Sequence, residues 1–271
     1  MRLTVIGCGT AQPQPDTPAS GLLVESGATR LLLDCGQGVM SRLQHHVDPR
    51  ELTGVVVGHL HADHYIDLVS LRYLFPWGER VPNRLPVYLP PGGVEHMTEL
   101  AGAISERRTF FDDSFEVIDY ERGGTIEVGE LRVRLIPGLH YVPACGAEVT
   151  DPAGGRFVYA GDTGPNDELV EIARGADLFA CEATLTTSAD DDPRRGHLTG
   201  DEALDMAAAA GVARTVLVHY PSARRGALSE IVAARGLDAV VGLPDMQLTM
   251  GSEEASWDDP MTVKPTQIQV A

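Results

Sequence analysis

Within the six residues His59-Leu60-His61-Ala62-Asp63-His64 the chain places three imidazoles and one carboxylate. Val55-Val56-Val57 runs into this stretch, and an apolar-periodic segment from Tyr65 to Phe75 runs out of it. The pattern predicts a strand, a turn and a helix reaching about Phe75. His59 and His61 alternate as strand-end residues do and so share one face. Asp63 and His64 open the helix, where a carboxylate suits the positive helix end. A metal ion needs ligands that converge on one point, and a strand-to-helix turn supplies them. The chain has nine His in all. Three of them within six residues, beside an Asp, outweigh the reading of a polar loop with chance histidines.

A chain of 271 residues holds one large domain with a substantial core, or two small ones. It reads straight into a short strand at residues 2–6, so no signal peptide is expected, and no apolar run approaches a membrane span. Cys8, Cys35, Cys145 and Cys181 are scattered and form no CxxC pair. We expect reduced, packed thiols and a cytoplasmic location. The formal net charge is −18, from 39 acids against 21 bases. An acidic surface repels a polyanion, whereas a small anion drawn in by metal charge is compatible with it.

Strands and helices interleave along the chain, with antiparallel hairpins concentrated in the first half. This predicts a mixed α/β fold of two sheets with outer helices rather than a single doubly wound sheet. Polar residues recur where apolar strands stop, at Asp34, His59 and His61, His140, Asp162, Glu182 and His219. Strand ends of a layered domain can gather at one rim. Asp34 follows Leu31-Leu32-Leu33 and needs a partner when buried, for which a histidine of the cluster is suitable. His45, His46 and His96 fall on expected helices, at surface positions and without a role. Residues 1–251 read as the folded domain. Residues 252–271 read as a tail, either disordered or docking as an edge strand.

The ordered set resembles the metallo-β-lactamase-fold hydrolases, and within them is most similar to the ribonuclease Z-like phosphodiesterase branch. The set comprises His-x-His-x-Asp-His at 59–64, His140, Gly161-Asp162-Thr163, Cys181-Glu182-Ala183-Thr184, Gly196-His197-Leu198-Thr199 and His219, with Asp34 in Leu-Asp-Cys-Gly-Gln-Gly. The resemblance implies a four-layer αββα sandwich and a dinuclear centre. His59, His61 and His140 would hold one metal, Asp63, His64 and His219 the other, and Asp162 would bridge them. Asp34 would orient a ligand imidazole through its other nitrogen. Nitrogen and carboxylate ligands without thiolate suit two Zn²⁺ and tolerate Mn²⁺ or Fe. Two such ions roughly 3.5–4 Å apart hold a bridging hydroxide that attacks phosphorus. His197, paired with Glu182, would be the proton donor or phosphate clamp, since a carboxylate behind an imidazole raises its pKa. Asp63 would also accept a proton from the attacking water.

The chain departs from the ribonuclease Z pattern in two places. Between His140 and Asp162 it has a tight hairpin where the tRNA enzymes carry a long basic arm, and Cys181 stands where they have His. The missing arm and the acidic balance argue against pre-tRNA processing. The expectation is therefore a phosphodiesterase acting on a small anionic phosphodiester such as a cyclic nucleotide, with no stable nucleic-acid or membrane partner. The resemblance also implies a homodimer. Three alternatives stay open: an RNA 3′-processing endonuclease, a hydrolase of a carboxylic, thio- or sulfate ester or a lactone, and a non-catalytic metal-binding protein. Three arginine pairs, Arg107-Arg108, Arg194-Arg195 and Arg224-Arg225, are further candidates. One pair is expected to line the mouth and hold phosphate, because the guanidinium fork matches phosphate oxygens.

Overall fold

The computed structural model describes residues 1–76, 81 and 83–250, together with the backbone of 257–258. Strands β1 (Arg2–Gly7), β2 (Gly21–Ser26) and β3 (Thr29–Leu33) form an antiparallel meander. Helix α1 (Val39–Leu43) leads to β4 (Gly54–Val56), which pairs parallel with β3. Two short helices, α2 (Ala62–Tyr65) and α3 (Leu68–Arg72), precede β5 (Leu85–Leu89). Helix α4 (Gly93–Ile104) then connects to β6 (Phe115–Asp119), and β4, β5 and β6 continue the parallel half of the sheet.

The second sheet starts with the antiparallel strands β7 (Thr125–Val128), β8 (Leu131–Pro137), β9 (Cys145–Thr150) and β10 (Arg156–Tyr159). It continues through α5 (Asp167–Ala173), β11 (Leu178–Glu182), α6 (Gly200–Ala210), β12 (Thr215–Val218), α7 (Arg225–Arg235) and β13 (Ala239–Val241). Strands β10 to β13 pair in parallel. The chain then returns to the first sheet, where β14 (Gln247–Thr249) pairs antiparallel with β1 and β15 (Trp257–Asp258) with β14. Strand β15 thus sits at the edge of the first sheet. The remainder of the 252–271 segment lies outside the described residues.

Side-chain alternation generates the layers. Leu22, Val24, Leu31 and Leu33 point toward the second sheet and pack in one core with Val133, Leu135, Val149 and Phe157. The intervening Leu23 and Leu32, with Val55 and Val57, point the other way into a second core with Val39, Leu43, Leu68, Leu71 and Met97 from the outer helices. On the far side, Leu169, Ala203, Leu204 and Ala207 of α5 and α6 close over the second sheet. Each fully buried aliphatic side chain contributes about 1.5–3 kcal/mol of transfer free energy. Both faces of each sheet are therefore covered where it counts for stability, which is the αββα sandwich expected. Among the described residues no helix is long and apolar enough to cross a membrane.

Three local expectations need correction. The helix expected to run from the cluster to about Phe75 is broken between α2 and α3. The Asp67 backbone N–H donates to the Cys35 carbonyl, and the Asp67 carboxylate accepts from the Met40 backbone N–H in α1. That tertiary bond at the start of α1 replaces helical continuity. The helix expected to reach His46 ends at Leu43, and His46 turns its Nε2 to within 2.8 Å of the Asp245 carboxylate, leaving its side chain only 8% exposed. His96 is likewise engaged, 2.7 Å from the Tyr65 hydroxyl. His45 alone of the three is exposed.

Candidate metal centre

The two parallel sheet halves bring their strand ends to one rim. Asp34 follows β3, His59 and His61 follow β4, Asp162 follows β10, Glu182 ends β11 and His219 follows β12. His140 comes from the loop after β8. Packing at this rim demands unusual backbone. Asp34 and His219 adopt left-handed conformations, with φ of 61° and 47°, which costs roughly 1–2 kcal/mol for a residue other than glycine. Gly36 is required for a different reason. A Cβ there would sit 1.9 Å from the Asp63 carbonyl oxygen, so only glycine lets the 59–64 segment pack against the exit of β3.

Two groups of ligand-type atoms form. In the first, His61 Nδ1 lies 3.0 Å from His59 Nε2 and 3.2 Å from His140 Nε2. In the second, the Asp63 carboxylate lies 3.7 Å from His64 Nε2 and 3.9 Å from His219 Nε2. Asp162 Oδ2 stands between them, 3.2 Å from His219 Nε2, 3.4 Å from His64 Nε2 and 3.8 Å from His59 Nε2. All seven side chains are thus gathered, and each group is compact enough to share one ion. Within this arrangement His64 Nε2 and Asp162 Oδ1 are buried with no hydrogen-bond partner. An orphaned buried polar atom costs roughly 1–3 kcal/mol. Cations at these two points would supply what the protein leaves unsatisfied, so the residues fit a pair of metal ions.

The electrostatics agree. Burial pushes His59 well below the usual imidazole range, helped by the charge of His64. Burial likewise lowers His61 and His140. These rings are held neutral, the form that ligates. Burial opposes ionisation of Asp162, yet His219, His64 and His59 hold its carboxyl well below the usual carboxylate range. Burial also opposes charge on His64, but Asp162 and Asp34 overcome it and carry its pKa well above normal.

The far nitrogens are anchored. His64 Nδ1 donates to Asp34 Oδ2 at 2.8 Å, His140 Nδ1 to the Gly196 carbonyl at 2.8 Å, and His219 Nδ1 to Ser20 Oγ at 2.9 Å. Asp34 has the orienting position expected of it, and its other oxygen accepts the Gly58 N–H at 2.7 Å.

His197 stands at the edge of this cluster. Its Nδ1 is 3.0 and 3.1 Å from the Glu182 carboxylate oxygens and 3.9 Å from Asp162 Oδ2. Burial alone would depress it, but the hydrogen bond and charge of Glu182 lift it to about 9. Glu182 is fixed in turn by the backbone N–H groups of Thr163 and Leu198. The loop is anchored on both sides. Leu198 is fully buried, and Thr199 and Glu202 form a reciprocal capping box at the start of α6, which satisfies two otherwise orphaned N–H donors. Asp191 accepts the Gly196 and His197 N–H groups and a hydrogen bond from the Tyr141 hydroxyl.

A cleft of about 380 Å³ opens over these residues, walled by Thr10, Ala11, Gln12, His61, Ala62, Asp63, Asp162, Thr184, His197 and His219. Thr10, Gln12 and Thr184 line the cleft without having been assigned a role from sequence. The turn Gly7-Cys8-Gly9-Thr10 is a weak phosphate signal in sequence and reads more readily as a tight strand exit. The arginine expectation fails. Arg194 pairs with Asp192 at 2.9 Å and lies over the Tyr141 ring. Arg195 donates to Glu202, Arg224 to the Ala183 and Leu185 carbonyls, and Arg107 to Asp113. Nearby acceptors hold these guanidinium groups, and none of the six arginines is among the residues walling the cleft.

Residues 29–220 match the beta-lactamase superfamily domain. An uncharacterized protein of Mycobacterium leprae is 39% identical over 86% of this chain and 83% of its own length. The probable metallo-hydrolase YhfI of Bacillus subtilis is 28% identical over 82% of this chain and 87% of its own. The crystal structure of YhfI matches with a TM-score of 0.78 at 24% identity, covering 92% of this chain and 99% of that one. A ribonuclease Z of Natronomonas pharaonis is 30% identical over 85% of this chain and 90% of its own length. By its paired sheets, its histidine and aspartate cluster and these relatives, the chain belongs to the beta-lactamase superfamily, in the metallo-hydrolase branch that includes ribonuclease Z.

Proposed function

We propose that this chain is a dinuclear metal-dependent phosphodiesterase acting on a small phosphodiester such as a cyclic nucleotide. His59, His61 and His140 would hold one ion, Asp63, His64 and His219 the other, and Asp162 both. Zn²⁺ is the favoured ion, with Mn²⁺ or Fe as substitutes. Bound there, two such ions activate water at neutral pH and polarise a phosphoryl oxygen.

The observation that carries the reading is His197, raised to about 9 by Glu182 and set on the cleft wall beside Asp162. A protonated imidazole at that place donates to the alkoxide leaving from phosphorus, the role in which general acids contribute roughly 10²–10⁴-fold. Glu182 keeps the ring protonated and oriented. Asp63, which also lines the cleft, would take a proton from the attacking water. Thr10, Gln12 and Thr184 offer neutral hydrogen-bonding groups to the rest of the substrate. Among the described residues His197 is the cationic group of the lining, beside neutral donors and carboxylate acceptors, which favours a single phosphate over a chain of them.

The second reading is an RNA 3′-processing endonuclease, favoured by the ribonuclease Z relative. The plain β9–β10 hairpin through 151–155 and the net charge of −18 weigh against it for folded RNA. Hydrolysis of cAMP, cGMP, 2′,3′-cyclic nucleotides, pre-tRNA and simple esters by one metal-loaded preparation separates the readings. Turnover of a cyclic nucleotide supports the proposal, and turnover confined to pre-tRNA or to esters overturns it.

A further inference from the structure

The loop between β11 and α6 carries three consecutive aspartates, Asp190, Asp191 and Asp192. Two of them serve the loop surface. Asp190 accepts the Thr187 N–H, and Asp192, 42% exposed, pairs with Arg194. Asp191 differs. Its side chain is 2% exposed, and a carboxylate buried to that degree needs its acceptor sites filled. Oδ1 accepts the Tyr141 hydroxyl and the Asp192 N–H, and Oδ2 accepts the N–H groups of Gly196 at 2.9 Å and His197 at 3.1 Å. The Arg195 guanidinium, 3.4 Å away, balances its charge.

The peptide unit joining Gly196 to His197 is held at both ends. Its N–H donates to Asp191, and its carbonyl accepts from His140 Nδ1 at 2.8 Å. A neutral imidazole carries one N–H. The proton on Nδ1 therefore leaves the Nε2 lone pair of His140 facing His61, within the first group of ligand atoms. Hydrogen bonds in such a row polarise one another. The charge of Asp191 thereby reaches His140 across one peptide, where Asp34 reaches His64 directly. The circuit closes on itself, because Tyr141 follows His140 in sequence and its hydroxyl returns to Asp191. The Tyr141 ring lies 4.8 Å from that of His140 and 5.6 Å from that of His197. A Cβ at position 196 would meet it at 2.4 Å, so glycine is needed for the two loops to approach this closely.

We propose that Asp191 is a positioning residue shared by the metal centre and the proton donor: through the peptide between Gly196 and His197 it fixes the His140 imidazole and the backbone of His197 together. This rests on the proposed function above. The Asp63, His64 and His219 group is independent of it, being anchored on Asp34 and Ser20.

The test titrates chelator-stripped full-length protein with Co²⁺ by calorimetry and visible absorption, and assays the metal-saturated protein with bis-p-nitrophenyl phosphate. Asp191→Asn keeps the size and removes the charge. A partner behind a ligand imidazole is worth about 10–100-fold in metal affinity, so Asp191→Asn should weaken one site by about tenfold. In a His219→Ala background, which spares His59, His61 and His140, the weakened site should be the one that remains. In a His61→Ala background the affinity should not change. With Co²⁺ saturating, Asp191→Asn should lower kcat about 10–100-fold with KM unchanged, and should cost little further in a His197→Ala background. Tyr141→Phe leaves the carboxylate in place. It should show the same selectivity with a smaller loss, and it decides the matter if Asp191→Asn does not fold. Equal weakening of both sites, wild-type affinity at both, or an undiminished loss of kcat in the His197→Ala background would overturn the proposal while leaving the metal centre standing. Co²⁺ uptake without diester turnover would overturn the phosphodiesterase reading, and the selective loss of affinity would still decide the role of Asp191. A wild-type chain that takes up no Co²⁺ would overturn both.

Discussion

His197 and Glu182 form a buried imidazole–carboxylate pair, 3.0 Å apart, with the carboxylate 1% exposed and the imidazole 17% exposed toward the cleft. The carboxylate is out of reach of substrate, and the imidazole is not. The pair therefore divides the work, with one group setting the proton affinity and the other meeting the reactants.

That division has a pH signature. His197 is the acid only while protonated, and its pKa is raised to about 9. The rate should hold through neutral pH and fall as pH rises through about 9. In Glu182→Gln the raising contact is lost, so the alkaline limb should move down toward the ordinary imidazole value of about 6.5. The pH profile of kcat for a phosphodiester, measured in both proteins, checks this. An alkaline limb at the same pH in both would contradict it.

Replacing His197 itself should separate chemistry from metal binding. His197→Ala should lower kcat by about 10²–10⁴-fold while the bound metal per chain stays at the wild-type value. Metal analysis alongside steady-state kinetics reads both. Loss of metal in that variant would make His197 a ligand instead, in keeping with its place near His140 and Asp162.

Gly36→Ala should be severe for a residue of such small size. The new methyl would meet the Asp63 carbonyl at 1.9 Å, and backbone cannot yield as a flexible side chain does. We expect about 2–4 kcal/mol of lost stability, within the range for overpacking at a fixed backbone. Urea unfolding would measure it, and metal uptake should fall as well because Asp63 is displaced.

The arginine pairs should prove inert toward substrate. Arg194→Ala removes an exposed guanidinium already paired with Asp192. Solvent screens an exposed pair of this kind so strongly that it adds little, so both stability and KM for a phosphodiester should stay close to wild type. A several-fold rise in KM would restore the phosphate-clamp role that the geometry denies it.

Much of this architecture is readable from the chain. Apolar runs that stop on Asp34, His59, Asp162, Glu182 and His219 mark strand ends, and in a layered fold strand ends share a rim. The alternation of Leu31, Leu32 and Leu33 shows a sheet covered on both faces. What escapes the sequence depends on distant partners. The periodicity from Tyr65 to Phe75 is helical throughout, and the break at Ile66-Asp67 comes from Met40 and Cys35, which lie far away in sequence. His46 looks exposed until Asp245 is brought to it. The arginine pairs look available until Asp192, Glu202 and the Ala183 carbonyl take them up. Ser20 is an ordinary strand-border residue, and only the meeting of the two sheets sets it behind His219.

The dinuclear centre is tested most directly by counting metal in the folded chain together with turnover of bis-p-nitrophenyl phosphate. Protein stripped with chelator and reloaded with Zn²⁺ should bind two ions per chain and hydrolyse the diester, and Asp162→Asn should lose both properties. Two ions bound without turnover, or a single ion with full turnover, would contradict the account.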